Sequence, residues 1–152
     1  MNWRMTGRRL AAWLPVALMA AFLGSACQPQ ASGRLSVRDA WARPAAAGAN
    51  GAVYFVIDNG SDQADRLLAV ETSAAVEAEF HESQLSDQNV MSMHPQESVA
   101  VSARGQVVFA PGGLHVMLIG VANEMKAGDT FSITLRFESA GPISVEVSVQ
   151  AP

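Results

Sequence analysis

Ser132-Ile133-Thr134-Leu135-Arg136-Phe137 and Val145-Glu146-Val147-Ser148-Val149 place an apolar residue at every second position. A period of 2 belongs to extended chain with one face in a core and the other in water. The same texture recurs at short, regular intervals toward the N-terminus. It predicts strands over Leu35–Trp41, Gly51–Asp58, Arg66–Val70, Ala75–His81, Val90–His94, Ser98–Val101, Val107–Ala110, Leu114–Ile119, Phe131–Glu138 and Ile143–Val149. Between them stand turn signals: Asn59-Gly60, Ala103-Arg104-Gly105, Pro111-Gly112-Gly113 and Ala127-Gly128-Asp129. A polar loop, Ser83 to Asn89, precedes the fifth strand. Helix signals are weak and no internal repeat is present. Nine or ten short strands with regular punctuation imply an antiparallel β-sandwich or barrel.

The stretch from Met1 to Ala26 reads differently. Arg4, Arg8 and Arg9 precede an apolar run from Leu10 to Leu23, followed by Gly24, Ser25 and Ala26, the layout of a secretory signal. The run has about 14 residues, short of the roughly 20 that a membrane span requires. Cys27, the only cysteine, follows directly, so no internal disulfide can form. A cysteine at that junction looks like the lipidated first residue of a bacterial lipoprotein, although Leu23 stands one position farther upstream than such signals usually have it. Ordinary cleavage near Cys27 would instead leave a soluble protein. Residues 27–33 read as lipidated Cys27 and a flexible tether, and residues 34–152 as a single domain.

From Cys27 onward the chain carries all 14 acidic residues but only 7 of the 10 basic ones, a net charge of −7. That balance argues against nucleic acid and against electrostatic binding of anionic lipid, leaving a lipid anchor as the membrane contact. It suits a domain that attracts cations or basic partners.

The histidines and methionines cluster at His81, Met91, Met93, His94, His115 and Met117. In Val76–His81 the apolar set is 76, 78 and 80, so His81 shares the polar face with Glu77 and Glu79. In Leu114–Leu118 the apolar set is 114, 116 and 118, so His115 and Met117 share the opposite face, about 7 Å apart. Met91 and Met93 form a second such pair. Imidazole and thioether together favour Cu(I) over Zn(II), Mg(II) or Ca(II), and thioether survives an oxidising compartment that consumes thiols. Methionines that fill a core and histidines that sit on a surface are the competing account. Met125 reads as packing, and Glu77 and Glu79 as a solvated face. His94 points away from Met93 in a regular strand.

Several stretches resemble the periplasmic PCu(A)C-type copper chaperones: Asp39-Ala40-Trp41-Ala42-Arg43-Pro44, Gly51-Ala52-Val53-Tyr54, Asp62-Gln63-Ala64-Asp65-Arg66-Leu67, Phe80-His81-Glu82, Val90-Met91-Ser92-Met93, Pro111-Gly112-Gly113-Leu114-His115-Val116-Met117 and Ala127-Gly128-Asp129-Thr130. The likeness spans residues 36 to 149. The family motif is a histidine, a spacer of ten, a methionine, a spacer of twenty-one, then His-x-Met. Here the spacer between Met93 and His115 has that same length, and Met117 completes His-x-Met. The spacer between His81 and Met93 is one residue longer than the motif, and the surplus falls in the polar loop. The methionine often found just after the first histidine is missing; Glu82 and Ser83 stand there. The resemblance implies metal ligands His81, Met93, His115 and Met117, with Met91 as a possible additional ligand.

It further implies a cupredoxin-like or immunoglobulin-like sandwich that carries Cu(I) on the periplasmic side of a bacterial membrane. The implied acceptors are the copper-bearing subunit of cytochrome c oxidase and a Sco-type thiol protein. A blue-copper electron-transfer site needs a thiolate beside its histidines, and the one cysteine lies at the tether. No nucleophile–base pair or open catalytic metal site is visible, so no enzymatic activity is expected. Copper buffering without a dedicated acceptor would use the same ligands. An envelope interaction module of immunoglobulin type would need none of them.

Overall fold

A computed structural model describes residues 33–85 and 90–151. The signal segment, Cys27 and the tether up to residue 32 lie outside the described residues. Ten strands follow in order: β1 (Leu35–Ala42), β2 (Gly51–Asn59), β3 (Asp65–Glu71), β4 (Ala75–Leu85), β5 (Met91–Gln96), β6 (Val99–Val101), β7 (Gln106–Phe109), β8 (Leu114–Val121), β9 (Thr130–Phe137) and β10 (Gly141–Val149). Each expected strand is present, and the described residues contain no helix.

The strands form one hydrogen-bonded path, β5-β4-β8-β2-β1-β10-β9-β3-β6, with β7 also paired to β2. The path folds over on itself. Phe80, Val116, Leu118, Val53 and Phe55 from one half meet Val147, Ile133, Leu135 and Leu67 from the other in a single buried cluster. This is the expected all-β sandwich, with its two leaves continuous through β1. The register of β1 on β2 shifts between Arg38 and Trp41, where Asp39 has a φ of 55°. Such a bulge bends a strand. Past the bend, Trp41 and Ala42 pair antiparallel with Tyr54 and Val53 and parallel with Ser148 and Val149.

Two features shape the site, and the first departs from the sequence reading. First, β4 runs on through Leu85, into the stretch expected to be a polar loop. Ser83, Gln84 and Leu85 pair with Met93, Ser92 and Met91, making a β4–β5 hairpin. An edge hairpin wet on one side tolerates polar residues, so composition alone understated its length.

Second, the turn expected at Pro111-Gly112-Gly113 is present, but it does not reverse the chain. Phe109 pairs with Phe55 and Val116 with Val53, both antiparallel, so β7 and β8 continue along the same edge of β2. Residues 110–113 loop out of the β2 edge opposite Tyr54, and Leu114 and His115 already pair with Glu82 and His81 of β4. The loop closes through Ala110 N to Leu114 O (2.8 Å) and Gly113 N to Ala110 O (3.0 Å). Gly112 takes a φ of 82° there, open to glycine at little cost.

Asp65 ties the far end together. Its Oδ1 accepts from the backbone N–H of Arg66 (2.7 Å) and Ser139 (2.9 Å), and its Oδ2 from Ala140 (2.9 Å). Burial pushes the Asp65 pKa up, but the backbone donors of Ser139, Arg66, Ala140 and Glu138 outweigh it and hold the group below its ordinary value. A depressed folded pKa contributes stability that is complete above the unfolded value, about 3.9, and is lost as pH falls through the folded one. Asp65→Asn is expected to cost about 1–3 kcal/mol at neutral pH and to lose less further stability than wild type on acidification. Urea melts at neutral pH and near pH 3 check this; an identical deficit at both would refute a role for the charge.

Candidate metal centre

The non-core face of the β5-β4-β8-β2 leaf carries the candidate ligands. Trp41 pairs with Tyr54 in the β1–β2 ladder, and His81 pairs with His115 in the β4–β8 ladder. Ring centroids lie 4.7 Å apart for Trp41–Tyr54, 6.5 Å for Tyr54–His115 and 6.0 Å for His81–His115. An aromatic row therefore crosses four strands, with the two imidazoles side by side. This face alternates with the core positions Val53, Phe55, Phe80 and Val116, as period 2 requires.

Although it faces away from the core, the row is covered. His115 is 5% exposed and Tyr54 6%. A cavity of about 400 Å³ opens over it, lined by His115, Met117, Met93, Met91, Tyr54 and Arg43 among others. The looped-out Pro111 and Gly112 form part of its wall. His81 stands beside His115 and is not part of the cavity wall. The methionines on β5 are open to solvent, Met93 at 53% and Met91 at 57%.

The ladder separates the two β5 candidates. Met93 lies opposite Ser83, one alternate position from His81 along β4. Met91 lies opposite Leu85, one step farther from His81. Met117 lies opposite Glu79 on one side and Ala52 on the other. His94 faces Glu82 on the other side of the hairpin and contacts Ser92 Oγ at 3.1 Å, outside the cluster. Met125 is buried and joined by its backbone to Ala45, a packing residue as read from the sequence.

Both imidazoles are oriented. His115 Nδ1 lies 3.0 Å from the Gly113 carbonyl, which can only accept, so Nδ1 carries the proton and Nε2 keeps the lone pair. The looped-out segment supplies that carbonyl, which also accepts from Ser83 N at 3.1 Å. His81 Nε2 lies 3.0 Å from Glu79 Oε2. Its Nδ1 is buried and has no hydrogen-bond partner among the described residues. An orphaned buried nitrogen costs about 1–3 kcal/mol, and a neutral imidazole held this way offers that nitrogen's lone pair to a metal ion.

The donor types restrict the ion. No group of three or more His, Cys, Asp or Glu side chains among the described residues is arranged to hold a metal. The donors that line the cavity and stand beside it are imidazole and thioether, a set that suits a soft cation. The sequence reading gives Glu79 as a solvated charge and does not single out Tyr54 or Arg43. Glu79 was within reach: it stands two residues before His81 and so shares its face.

The family described as "LpqE-like: Putative lipoprotein LpqE-like" matches residues 35–149. "Putative lipoprotein Lxx21020" of Leifsonia xyli subsp. xyli is 32% identical over 120 residues, covering 78% of this chain and 71% of the relative. Among solved structures, the copper-bound PCuAC domain from PmoF2 superposes with a TM-score of 0.66 at 26% identity, covering 80% of this chain and 97% of the other. The solution structure of CuI-DR1885 from Deinococcus radiodurans gives a TM-score of 0.56 at 25% identity, with 83% of each chain covered.

Proposed function

The chain belongs to the LpqE-like lipoprotein family, and on that premise we propose that it is a copper carrier of the bacterial envelope. It binds one Cu(I) through His81, Met93, His115 and Met117 and releases it to an acceptor. The observation that carries this reading is the pair of adjacent imidazoles, each with one nitrogen turned to a hydrogen-bond acceptor and the other left with its lone pair, beside a cavity lined by thioethers. Copper-bound relatives of the same fold support it.

The uneven exposure of the donors supports transfer. His115 is anchored and covered, whereas Met93 stands at an edge strand in solvent. An incoming ligand can replace the exposed thioether first, so copper moves through a mixed-ligand intermediate down an affinity gradient. No bond of a substrate is made or broken, and no enzymatic step is part of the function. Acidic residues of the domain favour approach of a cation or a basic partner.

The proposed acceptor is the copper-bearing subunit of cytochrome c oxidase, reached directly or with a Sco-type thiol protein. Loss of oxidase activity on deleting the gene supports delivery, whereas copper sensitivity with normal oxidase activity points to buffering. The family and the Leifsonia relative are described as putative lipoproteins, which supports a lipid anchor; in this reading it is Cys27 that is lipidated, on the periplasmic side. Cys27→Ser is then expected to shift the protein from the membrane to the soluble fraction; an unchanged distribution would exclude the anchor.

The deciding experiment is a Cu(I) titration of the domain from Gly33 onward against a chromogenic Cu(I) chelator. All ten strands lie within this fragment. One tight equivalent is expected. Failure to compete with the chelator would leave an envelope interaction module as the better account.

A further inference from the structure

Glu79 and His81 project from the same side of β4, with Glu79 Oε2 3.0 Å from His81 Nε2. A carboxylate at this contact accepts, so Nε2 carries the hydrogen and donates. In a neutral imidazole the other nitrogen then holds the lone pair, and here that nitrogen is the buried, unpartnered Nδ1. Across the ladder His115 has the reverse arrangement, with Nδ1 donating to the Gly113 carbonyl and Nε2 left free. Two facing rings are thus held in opposite tautomers by two different acceptors, one a side chain and one a backbone carbonyl.

We propose that Glu79 is a positioning residue of the metal centre, selecting the tautomer in which His81 presents Nδ1 while Gly113 makes His115 present Nε2. The ion is then held by one δ and one ε nitrogen. The inference rests on the copper reading for its ligand, but the two contacts that select the tautomers involve no metal. A carboxylate hydrogen-bonded to a ligating histidine fixes its orientation and raises the basicity of the nitrogen facing the metal. Its removal frees the ring to exchange tautomers and to turn.

A solvated surface charge is the competing account of Glu79, since its side chain is about half exposed. The two accounts differ in what glutamine can replace. The amide oxygen of Glu79→Gln still accepts from Nε2–H, although the charge is gone. Glu79→Ala removes the acceptor altogether.

The test uses the domain from Gly33 onward with 15N-labelled histidine. Long-range 1H–15N correlation spectra of the metal-free protein should show His81 protonated at Nε2 and His115 at Nδ1. Addition of one equivalent of Cu(I) should shift His81 Nδ1 and His115 Nε2. By chelator competition, Glu79→Ala is expected to weaken Cu(I) binding by about 10–100-fold, and Glu79→Gln to recover most of that loss. A metal-free His81 protonated at Nδ1, ligation through Nε2, or equal affinities for the alanine and glutamine variants would each overturn the proposal. If the unaltered domain binds no Cu(I), the copper reading fails, and the metal-free tautomers alone decide whether Glu79 selects the nitrogen.

Discussion

The His115→Ala, Met117→Ala double variant is expected to lose tight Cu(I) binding while keeping its β-sheet circular dichroism. The two side chains leave the same strand on the same face, so their removal takes one nitrogen and one sulfur from the proposed site at once. Losing a hydrogen-bond partner of a metal ligand typically costs about 10–100-fold in affinity, and losing two ligands outright must exceed that. The core is spared because Val116 and Leu118 face the other way. Met93→Ala and Met91→Ala in the same titration separate the two thioethers on β5. Met93, nearer the imidazole row in the ladder, should cause the larger loss. If the double variant binds as the parent does, the assigned site is wrong. If Met91→Ala is the more damaging single change, the inserted residue has moved the ligand one alternate position along β5.

Phe109→Ala is expected to be the most damaging single change to the fold. Phe109 is buried and stacks on Phe55 with ring centroids 4.3 Å apart, and its ring meets that of Phe80 edge-on at 6.2 Å. It is the last residue of β7 before the chain loops out over the aromatic row. Truncating a buried phenylalanine costs about 3–5 kcal/mol, a large part of the roughly 5–15 kcal/mol typical of a whole domain. Urea unfolding should show a sharply lower midpoint with a similar slope. Val108→Ala, one residue earlier and half exposed, should stay within about 0.5 kcal/mol. Equal effects from the two would mean that the β7 edge does not anchor the sandwich. The fraction of Phe109→Ala that remains folded should still bind Cu(I), because the proposed ligands are untouched.

Much of the architecture was legible residue by residue. Ile133, Leu135 and Phe137, and Val145, Val147 and Val149, are the buried faces of β9 and β10, as their alternation implied. The same rule put His81 opposite Phe80 and His115 opposite Val116. It failed where pairing overrode composition. Ser83 and Gln84 read as loop residues, yet ladder bonds to β5 hold them in strand. Pro111-Gly112-Gly113 reads as a turn and forms one, but only the pairing on both sides shows that it serves a loop-out along β2 and not a hairpin.

Local pattern alone places the strands, the face each side chain takes and the donor chemistry of imidazole and thioether, though not how far β4 runs. All of these follow from local periodicity and residue type. Three-dimensional pairing is what sets His81 and His115 side by side, leaves one thioether strand open while His115 is covered, and turns one nitrogen of each ring to an acceptor. Those depend on ladder register and on acceptors supplied by Glu79 and Gly113, and a ladder register joins segments whose separation along the chain no local pattern encodes.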